Sequence, residues 1–201
     1  MNLIYVMRHG ESVVNVERRL TCRKLEGDLS PAGREQAAKA AVWLADKNIR
    51  RISHSPFHRA QETAYIIGAR LKLMPAAADD LREMDCGHLE DRADQAAWDI
   101  WTQVYHRWEA AEWEAAFPGG ETFLQAFERL SRALAAVKPD ETVLLVSHGG
   151  ITRVVIPLLC VNAAALQRRD YLANTGMIVL EPYGDGRFIC RAWNLAEHLA
   201  V

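Results

Sequence analysis

Apolar residues along this chain fall into two rhythms. Leu3-Ile4-Tyr5-Val6-Met7 and Thr142-Val143-Leu144-Leu145-Val146 are nearly continuous apolar runs with β-branched members, the pattern of strands buried on both faces. Ile49 to Ser53 predicts a shorter strand, and Met177 to Leu180 another. Tyr183-Gly184-Asp185-Gly186-Arg187 reads as a hairpin turn that returns through Phe188 to Trp193. Between these runs the period becomes helical. Ser30-Pro31 supplies an N-cap and first-turn proline, Ala37, Ala38, Ala41, Val42 and Ala45 follow at helical spacing, and Ala37, Ala38, Ala41 and Leu44 or Ala45 are expected to pack on the sheet. A second helix is predicted from about Phe57 to Leu71, with Ala60, Ala64, Ile67 and Leu71 on one face. Residues 93–116 read as one or two helices, where Trp98, Trp101, Tyr105 and Trp108 make one aromatic stripe. Glu121-Thr122 opens a helix through about Val137, and Gly149-Gly150 one toward Leu159. Strands alternating with helices predict an α/β, three-layer α/β/α sandwich, its central sheet mostly parallel with an antiparallel edge strand. Residues beyond Asn194 are expected to fray.

Composition narrows the class. The chain has 201 residues, 50% of them apolar, enough for one sizeable core. No linker or repeat divides it, so residues 1–201 are read as one domain, with residues 84–120 a small helical cap insertion. The net charge of −2 offers no case for a nucleic-acid partner. No apolar run approaches the length of a membrane span, and the N-terminal run meets Arg8 too early for a signal peptide. Cys22, Cys86, Cys160 and Cys190 are widely spaced, which predicts reduced thiols in a cytoplasmic protein and neither a metal site nor a cofactor.

The chemistry sits where apolar runs stop. The first run ends in Arg8-His9-Gly10, the second in Ser147-His148-Gly149-Gly150, and the third leads to Arg59 in the opening turn of a helix. Ligands of open α/β sheets bind at the carboxyl ends of strands. Two arginines and two histidines brought there would make a pocket for a phosphate dianion: arginine supplies paired donors, and neutral histidine can act as a nucleophile. The loop from Ser12 to Gly27 adds Arg18, Arg19, Arg23 and Lys24. Such a run is either a solvated basic loop or a funnel that draws in an anionic substrate.

Five elements in order resemble the histidine phosphatase superfamily, the phosphoglycerate mutase-like proteins. They are Arg8-His9-Gly10-Glu11-Ser12 with Asn15; Ser55-Pro56-Phe57-His58-Arg59-Ala60-Gln61-Glu62-Thr63-Ala64; Leu81-Arg82-Glu83; Pro118-Gly119-Gly120-Glu121-Thr122; and Ser147-His148-Gly149-Gly150. The resemblance implies a metal-independent phosphomonoester hydrolase that acts on a small phosphorylated metabolite through a phosphohistidine at His9. Arg8, Asn15, Arg59, His148 and Gly149 would hold the phosphate, and His148 would take part in catalysis with Glu83, the proton donor. Thr21 would lie near the phosphate, and Glu121 would orient a histidine or a substrate hydroxyl. His54 and His58 are given no catalytic role. Three alternatives stay open: a phosphoglycerate mutase, a specific phosphatase such as one for α-ribazole phosphate or fructose 2,6-bisphosphate, and a phosphate-binding scaffold. The aromatic stripe is read as core packing or as a wall over the pocket. Trp113, off that stripe, is a candidate for the face of a homodimer.

Overall fold

A computed structural model describes residues 2–23, 27–138, 140–165 and 172–200; Lys24, part of the basic run, lies outside them. The strands are β1 (Ile4–Arg8), β2 (Arg51–His54), β3 (Ala76–Ala77), β4 (Val143–Ser147), β5 (Met177–Gly184) and β6 (Arg187–Leu195). The helices are α1 (Val13–Val16), α2 (Pro31–Leu44), α3 (His58–Leu71), α4 (Gln95–Glu109), α5 (Phe123–Ala135) and α6 (Gly149–Leu159).

The six strands form one sheet in the order β3-β2-β4-β1-β5-β6. β1 to β4 run parallel, β5 is antiparallel to β1, and β6 to β5, so a hairpin closes one side. Alternation along β1 shows why its apolar run is unbroken. Ile4 and Val6 point into one core with α4, α5 and α6, while Tyr5 and Met7 point into a second with α2 and α3. Both faces are covered, as the unbroken runs require. Register then sets the position of the chemistry: Arg8 pairs with Ser147, and His54 with Val146. The residues leaving β1, β2 and β4 therefore emerge at one edge of the sheet.

Three expectations change. On α2 the expected packing residues Ala37, Ala41 and Leu44 are buried, and Ala40 joins them, whereas Ala38 and Ala45 are exposed. A narrow stripe at i, i+3, i+4 and i+7 is enough where small residues let the helix approach closely. β3 was not legible in the sequence, since two alanines carry no strand signal. The segment after Asn194 is not frayed: β6 continues to Leu195, and a short turn at Glu197–Leu199 buries His198. His198 donates through Nε2–H to Thr175 Oγ1 at 2.8 Å, and Thr175 donates on to the Asn174 carbonyl at 2.6 Å. Burial lowers the His198 pKa, in keeping with a neutral ring. Replacing His198 by alanine is expected to lower unfolding free energy by roughly 1–3 kcal/mol, the cost of removing one partner of a buried hydrogen bond. Urea denaturation measures this; a change near zero would restore the frayed tail.

The aromatic stripe serves both expected purposes. Trp101, Tyr105 and Trp108 are buried, and Trp101 and Trp108 meet Phe117 at ring separations of 4.6 and 5.3 Å. Trp98 is only half-buried and helps to line a cavity. Among the described residues no helix is long and apolar enough to cross a membrane.

Candidate active site

Arg8, His9, Asn15, Thr21, Arg59, Glu83, His148 and Gly149 line one small cavity of about 70 Å³ at the carboxyl ends of β1, β2 and β4. The loop leaving β1 turns against the start of α2. A side chain on Gly10 would stand 2.6 Å from the Gly33 carbonyl oxygen, so this approach needs glycine.

His9 is buried, and its Nδ1 lies 2.7 Å from the Gly10 carbonyl oxygen. A carbonyl can only accept, so Nδ1 carries the proton. Nε2 then holds the lone pair, and the Arg59 Nε–H donates to it at 3.2 Å. Burial, with the charges of Arg59 and Arg8, holds the His9 pKa well below the ordinary imidazole value. The ring is therefore neutral at pH 7, oriented, and nucleophilic at one defined nitrogen.

His148 leaves β4 beside it, the two ring centroids 5.1 Å apart. Its Nε2 meets the Ser55 hydroxyl at 2.8 Å, while its buried Nδ1 has no hydrogen-bond partner among the described residues. Burial and the charge of Arg59 depress its pKa as well. Arg59 is 3% exposed. Its Nη2 donates to the Thr21 carbonyl at 2.7 Å, and among the described residues its buried Nη1 has no hydrogen-bond partner and no carboxylate pairs with it. A buried, uncompensated guanidinium costs several kcal/mol unless an anion meets it.

Glu83 lines the same cavity. Its Oε1 accepts from the backbone N–H of Ile151 at 2.7 Å and of Met84 at 2.9 Å, and its Oε2 from Gly150 at 2.9 Å. A side chain on Gly150 would stand 2.6 Å from Glu83 Oε1 and 2.7 Å from the Tyr105 hydroxyl. The second glycine after His148 is thus what lets the carboxyl reach the opening turn of α6.

Asn15 contributes differently. Its Oδ1 is occupied by the Ser12 backbone N–H and hydroxyl, at 3.1 and 2.9 Å, so its amide NH₂ is the end left for a ligand. Glu121 is not in this cavity. It forms a bidentate pair with Arg129, at 3.0 and 2.8 Å, and faces an adjoining cavity. Arg129 uses its remaining donors on the carbonyls of Asp80, Arg82 and Glu83. Glu121 therefore steadies the loop that carries Glu83 and does not touch His9 or His148. His54 is buried with Nδ1 donating to the Ser55 carbonyl, and His58 is exposed; neither lines the cavity.

Three supporting residues went unassigned in the sequence. Ser55 fixes His148, as above. Asn174 donates to the His9 carbonyl at 3.1 Å and to Asn15 Oδ1 at 3.4 Å. The Thr175 N–H donates to the carbonyls of Arg8 and His9 at 3.0 and 3.3 Å. Asn174-Thr175-Gly176 ahead of a strand was the available signal.

The fold also gathers Cys22, Cys86 and Glu90, whose ligand atoms lie within 4.8 Å of one another. Glu90 Oε2 already accepts from the Cys22 and Arg23 backbone N–H at 2.7 and 3.1 Å, with the Cys86 thiol at 3.4 Å. Burial pushes the Cys22 thiol pKa well up, and Glu90 ties the loop at Cys22 and Arg23 to the segment that carries Cys86. Two arginines of the basic loop are paired, Arg19 with Glu17 and Asp91, and Arg23 with Asp85.

The model of the histidine phosphatase superfamily (branch 1) matches residues 4–196, and the chain belongs to that superfamily. It is 29% identical over 202 residues to phosphoglycerate mutase-like protein 4 of Arabidopsis thaliana, across 98% of this chain and 86% of that one. A mycobacterial glucosyl-3-phosphoglycerate phosphatase solved in complex with VO3 is similar at 26% identity, with a TM-score of 0.79 over 97% of this chain and 100% of that one. Bacillus stearothermophilus YhfR shares the fold, with a TM-score of 0.82 at 24% identity over 99% of this chain and 100% of that one.

Proposed function

We propose that this protein hydrolyses a small phosphomonoester through a covalent phosphohistidine on His9, without a metal ion. The observation that carries this reading is the contact between Arg59, a buried cation with no carboxylate partner among the described residues, and the lone-pair nitrogen of a neutral His9. A substrate phosphoryl group suits both partners, bringing an anion to Arg59 and an electrophile to Nε2.

In the first step His9 Nε2 attacks phosphorus in line. The N–P bond forms, the bond from phosphorus to the alcohol oxygen breaks, and Glu83 gives that oxygen its proton. Arg59 turns from Nε2 to the equatorial oxygens as the phosphoryl group arrives, with Arg8, the His148 ring and the Asn15 amide around it. Positioning and fixed charge supply most of the acceleration in such transfers. In the second step Glu83 takes a proton from water, the water oxygen bonds to phosphorus, and the N–P bond breaks to return neutral His9. The mycobacterial relative solved with VO3 supports a pocket suited to a five-coordinate oxyanion.

Water as the acceptor is the finer part of the proposal, since a mutase would return the phosphoryl group to a second hydroxyl. Free phosphate and phosphoglycerate isomers are to be followed in one reaction, with and without 2,3-bisphosphoglycerate as primer. Phosphate release is expected to dominate in both. Primed interconversion of 2- and 3-phosphoglycerate far faster than phosphate release would make the protein a mutase.

A further inference from the structure

Beside the small cavity lies a larger one of about 520 Å³ that shares Arg8, Asn15, Arg19, Trp98 and Trp101 with it. The phosphatase reading assigns it to the alcohol portion of the substrate, and its walls describe that portion.

Its charge is one-sided. Among the described residues Arg8, Arg18, Arg19 and Arg153 line it against a single carboxylate, Glu109. Arg8 also belongs to the phosphate pocket, and Arg19 is engaged by Glu17 and Asp91. Arg18 has no acidic partner among the described residues. Its backbone is nevertheless fixed, in the left-handed region at φ 52°, with its N–H donating to the Asn15 carbonyl and its own carbonyl accepting from the Trp98 indole, both at 3.0 Å. Holding a non-glycine residue there costs free energy. The indole that pins Arg18 is also part of the cavity wall. Across the cavity, Arg153 lies 3.9 Å from Glu109 and 5.9 Å from the centre of the Tyr105 ring.

The body of the ligand follows from the same wall. A volume near 520 Å³ suits a ring-sized group better than a three-carbon chain. The half-buried Trp98 supplies the accessible aromatic surface of that wall, backed by Trp101 and Tyr105, which stack on one another with ring centres 5.3 Å apart. Arg82 and the cap arginines Arg92 and Arg107 do not take part: they pair with Asp79, Asp94 and Glu112, and none lines either cavity.

Resting on the phosphatase reading, we infer that the substrate's alcohol portion is a ring bearing a second anionic group, received by Arg18 and Arg153 over the Trp98–Tyr105 wall. The test compares kcat/KM for p-nitrophenyl phosphate, a hexose monophosphate and the corresponding hexose bisphosphate, in the wild type, Arg18→Ala and Arg153→Ala. The bisphosphate is expected to be preferred over the monophosphate. Each variant should lower that preference roughly fivefold to tenfold through KM, the scale of one partly solvated charge contact. No preference in the wild type, or one that both variants leave unmoved, overturns the inference while p-nitrophenyl phosphate is still hydrolysed. No hydrolysis of any of the three overturns the phosphatase reading and the inference with it.

Discussion

His9→Ala is expected to cost about 10⁴-fold or more in kcat, because it removes the atom that forms the covalent intermediate and its partners cannot act without it. The protein should remain folded. His9 donates one hydrogen bond to the neighbouring Gly10 carbonyl and accepts one from the Arg59 Nε–H, and water entering the space left by the ring can meet that donor. Substrate binding should survive better than turnover, since Arg8, Arg59, His148 and Asn15 remain. Steady-state kinetics beside a thermal melt of the same preparation check this. Turnover within tenfold of wild type in a folded variant would remove His9 from the nucleophile's role.

Glu83→Gln and Arg59→Ala should separate by substrate. An alkyl alcohol is a poor leaving group and needs its proton as the bond breaks, whereas a nitrophenolate leaves without one. Glu83→Gln should therefore slow alkyl phosphates by roughly 10²–10⁴-fold, the usual worth of a positioned acid, and aryl phosphates far less. The glutamine is close in shape, though one of its terminal atoms becomes an NH₂ facing backbone N–H groups that now meet Oε1 and Oε2. A modest loss of stability is expected alongside. Arg59→Ala should slow both substrate types alike by about 10²–10³-fold, as loss of a transition-state donor does. Equal losses for the two types in Glu83→Gln would remove Glu83 as the acid.

What was legible in the sequence was whatever local pattern decides. Unbroken apolar runs ending in Arg-His and Ser-His identified two central strands, and parallel register did the rest by setting Arg8 opposite Ser147. Arg59 was legible because it opens a helix just after a strand. What depended on partners far along the chain was not. Nothing local joins Glu121 to Arg129 and to the carbonyls of residues 80–83, so its carboxylate looked available to the site. Cys22 and Cys86 were read as scattered because spacing along the chain says little once a loop folds back. The tail misled for another reason: the signal of a single buried histidine is no stronger than that of an exposed one.

The most direct test of the account is to trap the intermediate. A rapid quench during turnover of a ³²P-labelled phosphomonoester should leave an acid-labile, alkali-stable phosphoryl group on the protein. Peptide mapping should find it on His9, and NMR should find it on Nε2, since Nδ1 is held by the Gly10 carbonyl. Label on any other residue, or the same label in His9→Ala, would contradict the account.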